Sequence, residues 1–88
     1  MEKKKVAIIG VTGSVGQEFV QSLNDHPWFE VTQIAASERS AGKSYLDAIR
    51  NEGGIIMWDV GGEIPEYIKL MKVKTVDELD TSQLDLVF

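Results

Sequence analysis

A glycine-rich stretch of seven residues, Gly10–Gly16 (GVTGSVG), restricts the fold of this chain more than any other feature. The apolar run Val6–Ile9 precedes it without polar alternation, which is typical of a parallel strand covered on both faces. A helical pattern begins at Val15, directly behind the glycines. A strand, a tight glycine turn and a helix in this order predict an α/β fold in which the first strand is central.

The glycine turn also predicts a binding site. The first backbone N–H groups of a helix lack partners and the helix presents its positive end there, so these groups suit an anionic phosphate. Gly10 would permit a sharp exit from the strand, Gly13 would let a diphosphate approach the backbone, and Gly16 would let the helix lie close to the sheet. The hydroxyls of Thr12 and Ser14 can donate to phosphate oxygens. The spacing is G-x-x-G-x-x-G and not the commoner G-x-G-x-x-G, and the alternative is a tight turn without a ligand.

The helix and the second strand follow from apolar spacing. The apolar side of the helix is predicted to comprise Val15, Phe19, Val20 and Leu23, and its polar side Gln17, Glu18, Gln21 and Ser22. The helix should end at residues 24–26, because Pro27 cannot continue it. The β-rich run Glu30–Ala36 predicts a second strand, parallel to the first since a helix crosses between them. Trp28 and Phe29 are expected to pack beneath the corner between helix and strand.

The end of the second strand predicts the type of dinucleotide. In dinucleotide-binding folds of this kind an Asp or Glu at this place binds the ribose 2′-OH of NAD, whereas an Arg accommodates the 2′-phosphate of NADP. Here the loop begins with Ser37, and Arg39, Ser40 and Lys43 can supply charge and hydroxyl groups to a phosphate. NADP is therefore preferred to NAD, with Glu38 expected to point to solvent. The alternative is an ordinary polar loop.

The remainder of the chain contributes shorter elements. A short helix is predicted for Tyr45–Arg50, a buried segment or strand for Ile55–Trp58, and a helical segment from Pro65. Lys72–Val76 alternates like an edge strand protected by lysines, and Leu84–Phe88 predicts a last strand. The whole predicts a Rossmann-like, doubly wound and mainly parallel sheet, with the first βαβ unit plus about two further strands in the order 3-2-1-4. Because the last strand has no crossover behind it, we expect the chain to be the first part of a larger domain.

Composition excludes several classes of function. Eighty-eight residues allow a single domain, and nine basic against fourteen acidic residues give a net charge of −5, which argues against nonspecific nucleic-acid binding. No stretch approaches the ~18 apolar residues of a membrane span, and no signal peptide precedes the first strand, so a cytoplasmic location without a membrane partner is expected. The absence of cysteine removes disulfides, thiolate metal sites and cysteine nucleophiles. His26 is expected to be an ordinary residue at a helix end, and no metal site is predicted.

Residues 5–48 resemble a known family. The sequence KVAIIGVTGSVGQEFVQSLNDHPWFEVTQIAASERSAGKSYLDA is similar to the N-terminal part of the aspartate-semialdehyde dehydrogenases, in the branch found in archaea and some bacteria. The shared features are the GxTGxVGQ turn, the HP dipeptide at the helix end, the FEVTQIAAS strand, and the SAGK turn followed by Tyr45. Trp58, the IPEYI run and the closing DLVF are also similar, whereas residues 51–62 match less well.

The resemblance implies a function for a larger protein. Members of the family reduce aspartyl phosphate to aspartate semialdehyde with NADPH in amino-acid biosynthesis, through a thioester on a catalytic cysteine that this chain lacks. The full-length protein would be a homo-oligomer with a separate catalytic and dimerisation domain, and residues 1–88 would be the N-terminal part of its NADP-binding domain, inactive alone. No residue here is assigned to catalysis. The implied diphosphate contacts are Gly10, Thr12, Gly13, Ser14, Val15 and Gly16, and the implied contacts to the adenosine 2′-phosphate are Ser37, Arg39 and Ser40.

Other interpretations stay open from the sequence. N-acetyl-γ-glutamyl-phosphate reductases and malonyl-CoA reductases are similar in the glycine loop and the HP dipeptide, although the SERSAGK turn and the IPEYI segment favour the aspartate enzyme. A stand-alone module that binds NADP or an adenine nucleotide without catalysis is a different class of function. A fragment with no affinity for a ligand is a third.

Overall fold

Two parallel strands form the centre of the fold in the computed structural model, which describes residues 2–88. β1 (Lys4–Ile9) and β2 (Phe29–Ala35) pair with each other along their length. β3 (Val73–Lys74) adds to the outer side of β2, and β4 (Leu86–Val87) adds to the outer side of β1, both in parallel. The strand order β3-β2-β1-β4 confirms the predicted Rossmann-like α/β sheet.

Three helices connect the strands. α1 (Ser14–Ser22) makes the crossover from β1 to β2, and α2 (Tyr45–Ala48) and α3 (Glu66–Lys69) lie between β2 and β3 in the chain. Two 3₁₀ turns, at Val76–Glu78 and Thr81–Gln83, lead to β4. The helices predicted behind the glycine turn and in the middle of the chain are confirmed. No helix in the described part of the chain is long and apolar enough to cross a membrane.

The core surrounds the first strand. Val6, Ala7 and Ile8 are consecutive in β1 and all fully buried, as expected of a strand covered on both faces. All three helices contribute to this core, through Val20, Tyr45 and Ile68. The buried apolar side chains that pack together are Val6, Ile8, Val11, Val20, Leu23, Val31, Ile34, Tyr45, Ile49, Ile68 and Val73.

The two tyrosines of the chain join α2 and α3 to neighbouring backbone. The Tyr45 hydroxyl is buried and donates to the carbonyl oxygen of Val11 at 3.0 Å. The Tyr67 hydroxyl donates to the carbonyl oxygen of Val20 at 2.7 Å. Burial raises the pKa of both hydroxyls above its ordinary value, and for Tyr45 the nearby Tyr67 adds to this shift. Tyr45 therefore ties α2 directly to the glycine turn.

The closest approach of α1 to the end of β1 occurs at Gly16. A Cβ atom on this residue would lie 2.1 Å from the carbonyl oxygen of Gly10 and 2.7 Å from the Cα of Val11. Because these neighbours are backbone atoms that cannot move aside, only glycine fits at this position. Gly10 has a φ of 70°, a conformation that also favours glycine. The mechanical roles predicted for the first and last glycines of the turn are confirmed.

The buried side of α1 differs from the predicted one. Successive helix residues are about 100° apart, and the contact at Gly16 turns Val20 and Leu23 towards the core. Val15 is turned away and is 71% exposed, whereas Gln17 is 1% exposed. Both predictions are wrong, because the pattern was centred on the apolar side chains and not on the glycine contact.

Two other segments predicted to be buried are largely exposed. Trp28 is 61% exposed. It lies just before β2, where its carbonyl oxygen accepts from the N–H group of Lys4 in β1 and its ring lies outside the core. Phe29 is the aromatic residue of this pair that packs against the core. Ile55 is 64% exposed, since the backbone around it bonds locally to Asn51 and pairs with no neighbouring strand. Of the segment predicted as buried, Trp58 alone packs against the core.

Replacement of Gly16 by alanine should lower the free energy of unfolding by about 3 kcal/mol, the upper end of the usual cost of overpacking, because the added Cβ meets backbone. Urea denaturation measures this loss. Gly13→Ala is the matched control, since Gly13 has a φ of −78° and its Cβ would meet only the Gly10 carbonyl oxygen, at 3.7 Å. Similar denaturation midpoints for the two variants would contradict the prediction.

Candidate functional site

A cleft of about 580 Å³ opens beside the glycine turn (Gly10–Gly16), where the carboxyl ends of β1 and β2 meet. This volume lies within the usual range for small-molecule sites, about 300–1,000 Å³. Three groups of residues line it: Thr12, Gly13, Ser14 and Gln17 after β1; Ser37, Arg39, Ser40 and Lys43 after β2; and residues 48–52 with Met57 and Asp59 after the start of α2.

The glycine turn presents unpaired backbone N–H groups at the start of α1. The N–H groups of Gly10 and Val11 donate to the carbonyl oxygen of Ala35 at the end of β2, at 2.9 and 3.2 Å, and these bonds anchor the first part of the turn. The N–H groups of residues 14–16 donate to no acceptor within residues 2–88, and Gly13, the N-cap, has no side chain to cap the helix. Free N–H groups and the positive end of the helix together favour an anion at this wall of the cleft.

The loop after β2, which we call the β2 exit loop (Ser37–Lys43), holds two basic side chains. The N–H group of Ser40 donates to the carbonyl oxygen of Ser37 at 2.9 Å and closes a turn. Arg39 and Lys43 line the cleft and form no ion pair in the part of the chain that the structure describes. Their charges and the two serine hydroxyls are therefore available to a second anionic group.

The structure brings most of the predicted site residues together. Those that line the cleft are Thr12, Gly13, Ser14, Ser37, Arg39 and Ser40. Gly10, Val15 and Gly16 do not line it. The two glycines shape the turn. The side chain of Val15 is exposed, and its N–H group is one of the free donors at the start of α1. Glu38 is exposed and lies outside the cleft lining, in agreement with the prediction.

Gln17 is a site residue that the sequence pattern placed on the wrong side of α1. Its Nε2 donates to the carbonyl oxygens of Thr12 at 3.0 Å and of Met57 at 2.9 Å, and its Oε1 accepts from the N–H group of Asp59 at 2.7 Å. The buried amide thus joins the glycine turn to a segment about forty residues away in the chain. The only available signal was its position, one residue behind the close contact at Gly16.

The third wall of the cleft was also missed, because no motif marks it. Arg50, Asn51 and Glu52 follow α2, and Asp59 lies beside Gln17. The cleft therefore carries three basic side chains, those of Arg39, Lys43 and Arg50, against two acidic ones, those of Glu52 and Asp59.

Neither a cysteine nor a histidine lines the cleft. The chain has no cysteine, and residues 2–88 contain no group of three or more His, Asp or Glu that could hold a metal ion. His26 lies elsewhere: its Nδ1 accepts from the N–H group of Trp28 at 3.1 Å, and its ring centre is 5.0 Å from that of Phe29. It lies behind the end of α1, where the sequence predicts it. The cleft can bind and orient an anionic ligand, and it supplies no thiolate.

Replacement of Gln17 by methionine should lower the free energy of unfolding by about 1–3 kcal/mol, because the N–H group of Asp59 and two carbonyl oxygens lose their partner. The matched control is Gln21→Met, since Gln21 lies one turn further along α1 and makes a single hydrogen bond, to the carbonyl oxygen of Gly61 at 3.0 Å. The control should cost less than about 1 kcal/mol. Urea denaturation compares the two, and an equal loss would show that the buried amide has no special role.

Comparison with known proteins gives one family and several relatives. A family model described as the NAD-binding domain of semialdehyde dehydrogenases matches residues 5–88. The aspartate-semialdehyde dehydrogenase of Schizosaccharomyces pombe is 42% identical, with 100% of this chain and 23% of that protein covered. That of Saccharomyces cerevisiae is 54% identical, with 100% and 22% covered. The malonyl CoA reductase (NADP) of Metallosphaera sedula is 36% identical, with 96% and 21% covered.

A solved structure is similar over the whole chain. Aspartate-semialdehyde dehydrogenase from Candida albicans, determined with NADP, matches with a TM-score of 0.82 at 38% identity, covering 99% of this chain and 23% of that one. The chain thus spans less than a quarter of the length of the relatives that it matches.

Proposed function

The chain belongs to the family of semialdehyde dehydrogenase NAD-binding domains, and from this premise we propose that it binds NADP in the cleft beside the glycine turn. In this proposal residues 1–88 are the N-terminal part of the cofactor-binding domain of an aspartate-semialdehyde dehydrogenase. Relatives that cover the whole chain at 42% and 54% identity carry this name. The larger protein would be a cytoplasmic homo-oligomer.

One observation supports the proposal most directly: free backbone N–H groups and two unpaired cations adjoin the same cleft. The N–H groups at the start of α1 suit a diphosphate, and Arg39 and Lys43 suit a separate phosphate monoester. NADP carries both groups, joined through the adenosine ribose. A ligand with a single phosphate would leave one of the two walls without a partner.

The diphosphate is assigned to the end of the glycine turn. The N–H groups of Ser14, Val15 and Gly16 are free to donate, and the hydroxyls of Thr12 and Ser14 stand beside them. Gly13 has no Cβ, so it leaves room for the ligand to come close to the backbone at the start of α1. Gly10 and Gly16 act indirectly, by allowing the turn to form.

The 2′-phosphate is assigned to the β2 exit loop. Ser37, Ser40 and Arg39 line the cleft there, with Lys43 as a second cation. A serine at the end of β2, where NAD-specific folds carry an acid, does not repel a phosphate. The Candida albicans relative, solved with NADP, and the Metallosphaera sedula relative, named with NADP, support this preference.

The chain would provide binding and orientation and no covalent chemistry. Reduction of an acyl phosphate to an aldehyde needs a nucleophile that forms a thioester and a hydride donor that reduces it. NADPH supplies the hydride when it is bound. No cysteine is present in the 88 residues, so the thiolate would belong to the catalytic domain of the larger protein. The residues of this chain would hold the dinucleotide by its adenosine half.

A second candidate is the corresponding part of a malonyl-CoA reductase, favoured by the 36% identity to the Metallosphaera sedula enzyme. A domain exchange separates the two. Residues 1–88 should replace the equivalent part of the Saccharomyces cerevisiae enzyme with retention of phosphate-dependent reduction of NADP by aspartate semialdehyde. The same exchange in the Metallosphaera sedula reductase should retain a smaller fraction of its activity on malonyl-CoA. The reverse order would favour the second candidate, and loss of activity in both would contradict the proposal.

The isolated chain should bind NADPH more tightly than NADH, and calorimetric titration measures both affinities. Arg39→Ala should weaken NADPH binding about 10- to 150-fold, as expected for loss of a charge-assisted hydrogen bond of about 1.5–3 kcal/mol, and should leave NADH nearly unchanged. Ser37→Asp should reverse the preference, because a carboxylate repels the 2′-phosphate and accepts from a 2′-OH. Glu38→Gln is the control and should preserve the ratio. Equal or inverted affinities in the unmodified chain would overturn the assignment.

A further inference from the structure

A hydrogen-bonded turn, residues 50–57, forms a large part of the third wall of the cleft, and we call it the Asn51 turn. The side-chain Oδ1 of Asn51 accepts from the N–H groups of Gly53 at 2.9 Å and of Ile55 at 3.0 Å. The backbone N–H group of Asn51 donates to the carbonyl oxygen of Ile55 at 2.8 Å. The N–H group of Met57 donates back to the carbonyl oxygen of Ile49 at 2.9 Å, which closes the turn against the end of α2. The wall is therefore a defined surface before any ligand is bound.

Arg50 is held in this wall by contacts on the edge of its guanidinium group. Its Nε lies 3.3 Å from the Asp47 carboxylate, and its Nη1 donates to the carbonyl oxygen of Gly54 at 2.9 Å. These two contacts orient the plane of the group and use two of its five N–H donors. A guanidinium held in this way can present its flat face to a ligand in the cleft, which Arg50 lines.

The surroundings of Arg50 suit a neutral aromatic ring better than a phosphate. Ala48, Ile49 and Met57 line the cleft beside it and supply apolar surface. Glu52, on the same turn, also lines the cleft, and its carboxylate would repel an anion placed at this wall. A purine has two apolar π-faces and no charge, and guanidinium groups are common stacking partners for it.

The positions of the two phosphates restrict where the base can lie. The proposed diphosphate site at the start of α1 and the proposed 2′-phosphate site in the β2 exit loop hold the adenosine ribose between them. The base is attached to the ribose carbon next to the one that carries the 2′-phosphate. The wall of the cleft that neither proposed phosphate site uses is the end of α2 with the Asn51 turn, and it is the wall left for the base.

We propose that Arg50 is the residue that positions the adenine base, by stacking the face of its guanidinium group on the purine ring. This inference rests on the proposed function. It adds a base subsite, formed by Arg50, Ile49 and Met57, to the two phosphate subsites. The contribution of Arg50 depends on its planar group and not on its charge alone. NADPH and NADH both carry adenine, so both should gain from this contact.

The test measures dissociation constants of the 88-residue chain for NADPH, NADH and inorganic pyrophosphate by calorimetry. Arg50→Ala and Arg50→Lys should each weaken both dinucleotides about tenfold, within the range of about 5- to 150-fold that corresponds to one stacked base, with the NADPH to NADH ratio unchanged. Pyrophosphate has no base, so its binding should not change. Melting temperatures of the variants check that each is folded at the temperature of titration. Arg39→Ala is the contrasting control, because it should change the ratio.

The outcomes are distinct. A lysine variant that keeps full affinity, or a loss confined to NADPH or extended to pyrophosphate, would mean a phosphate contact and would overturn the stacking role. Unchanged dinucleotide binding in both Arg50 variants would overturn it as well, while tight NADPH binding by the unmodified chain would leave the proposed function intact. Failure of the unmodified chain to bind either dinucleotide would remove the proposed function and this inference together.

Discussion

The contact of Gly16 with the backbone of Gly10 and Val11 is the constraint on which the rest of the site depends. With the Cβ position only 2.1 Å from a carbonyl oxygen, α1 begins directly against the end of β1. This approach turns Val20 and Leu23 into the core and leaves the N–H groups of the first helical turn facing outward. Any larger residue at position 16 would push the helix away, and with it the amide groups of the proposed anion site. The packing of α1 and the proposed binding site therefore depend on the same backbone contact.

The sheet then fixes the distance between the two walls of the cleft that we propose as phosphate sites. The carbonyl oxygen of Ala35, at the end of β2, accepts from the N–H groups of both Gly10 and Val11. The N–H group of Ala36 donates to the carbonyl oxygen of Lys74 in β3, and the N–H group of Gly42 donates to the carbonyl oxygen of Val73 at 2.8 Å. Hydrogen bonds to β3 therefore hold the chain just before the β2 exit loop and near the end of the loop. Because parallel strands end at the same edge of a sheet, strand register brings the glycine turn and the exit loop together. The first two walls of the cleft are therefore a consequence of sheet order, whereas the third wall is joined to the glycine turn by the side chains of Gln17 and Tyr45.

The difference between local and long-range contacts explains which features the sequence could predict. Local apolar patterns and backbone sterics determine β1, β2, the crossover helix and the roles of the glycines. Each of these features can be recognised within one continuous segment of the chain. Gln17 could not be assigned in this way, because periodicity places a polar residue outward unless buried partners exist, and two of its partners, Met57 and Asp59, are about forty residues away. Arg50 has the same difficulty, since its place in the cleft depends on the fold of the turn behind it. The sequence pattern therefore could not predict which polar side chains of the site have partners in distant parts of the chain.

The net charge of −5 raises the question of how such a chain could hold a ligand with several negative charges. The answer lies in where the charges are placed. Acidic residues near the chain end, such as Asp77, Glu78 and Asp85, do not line the cleft, and salt screens the interactions between exposed charges. Within the cleft three basic side chains oppose two acidic ones, and the start of α1 adds fixed partial positive charge that no titration removes. For the proposed anion site, the local field of the backbone amides and of the cations at the ends of β1 and β2 therefore matters more than the overall charge of the chain.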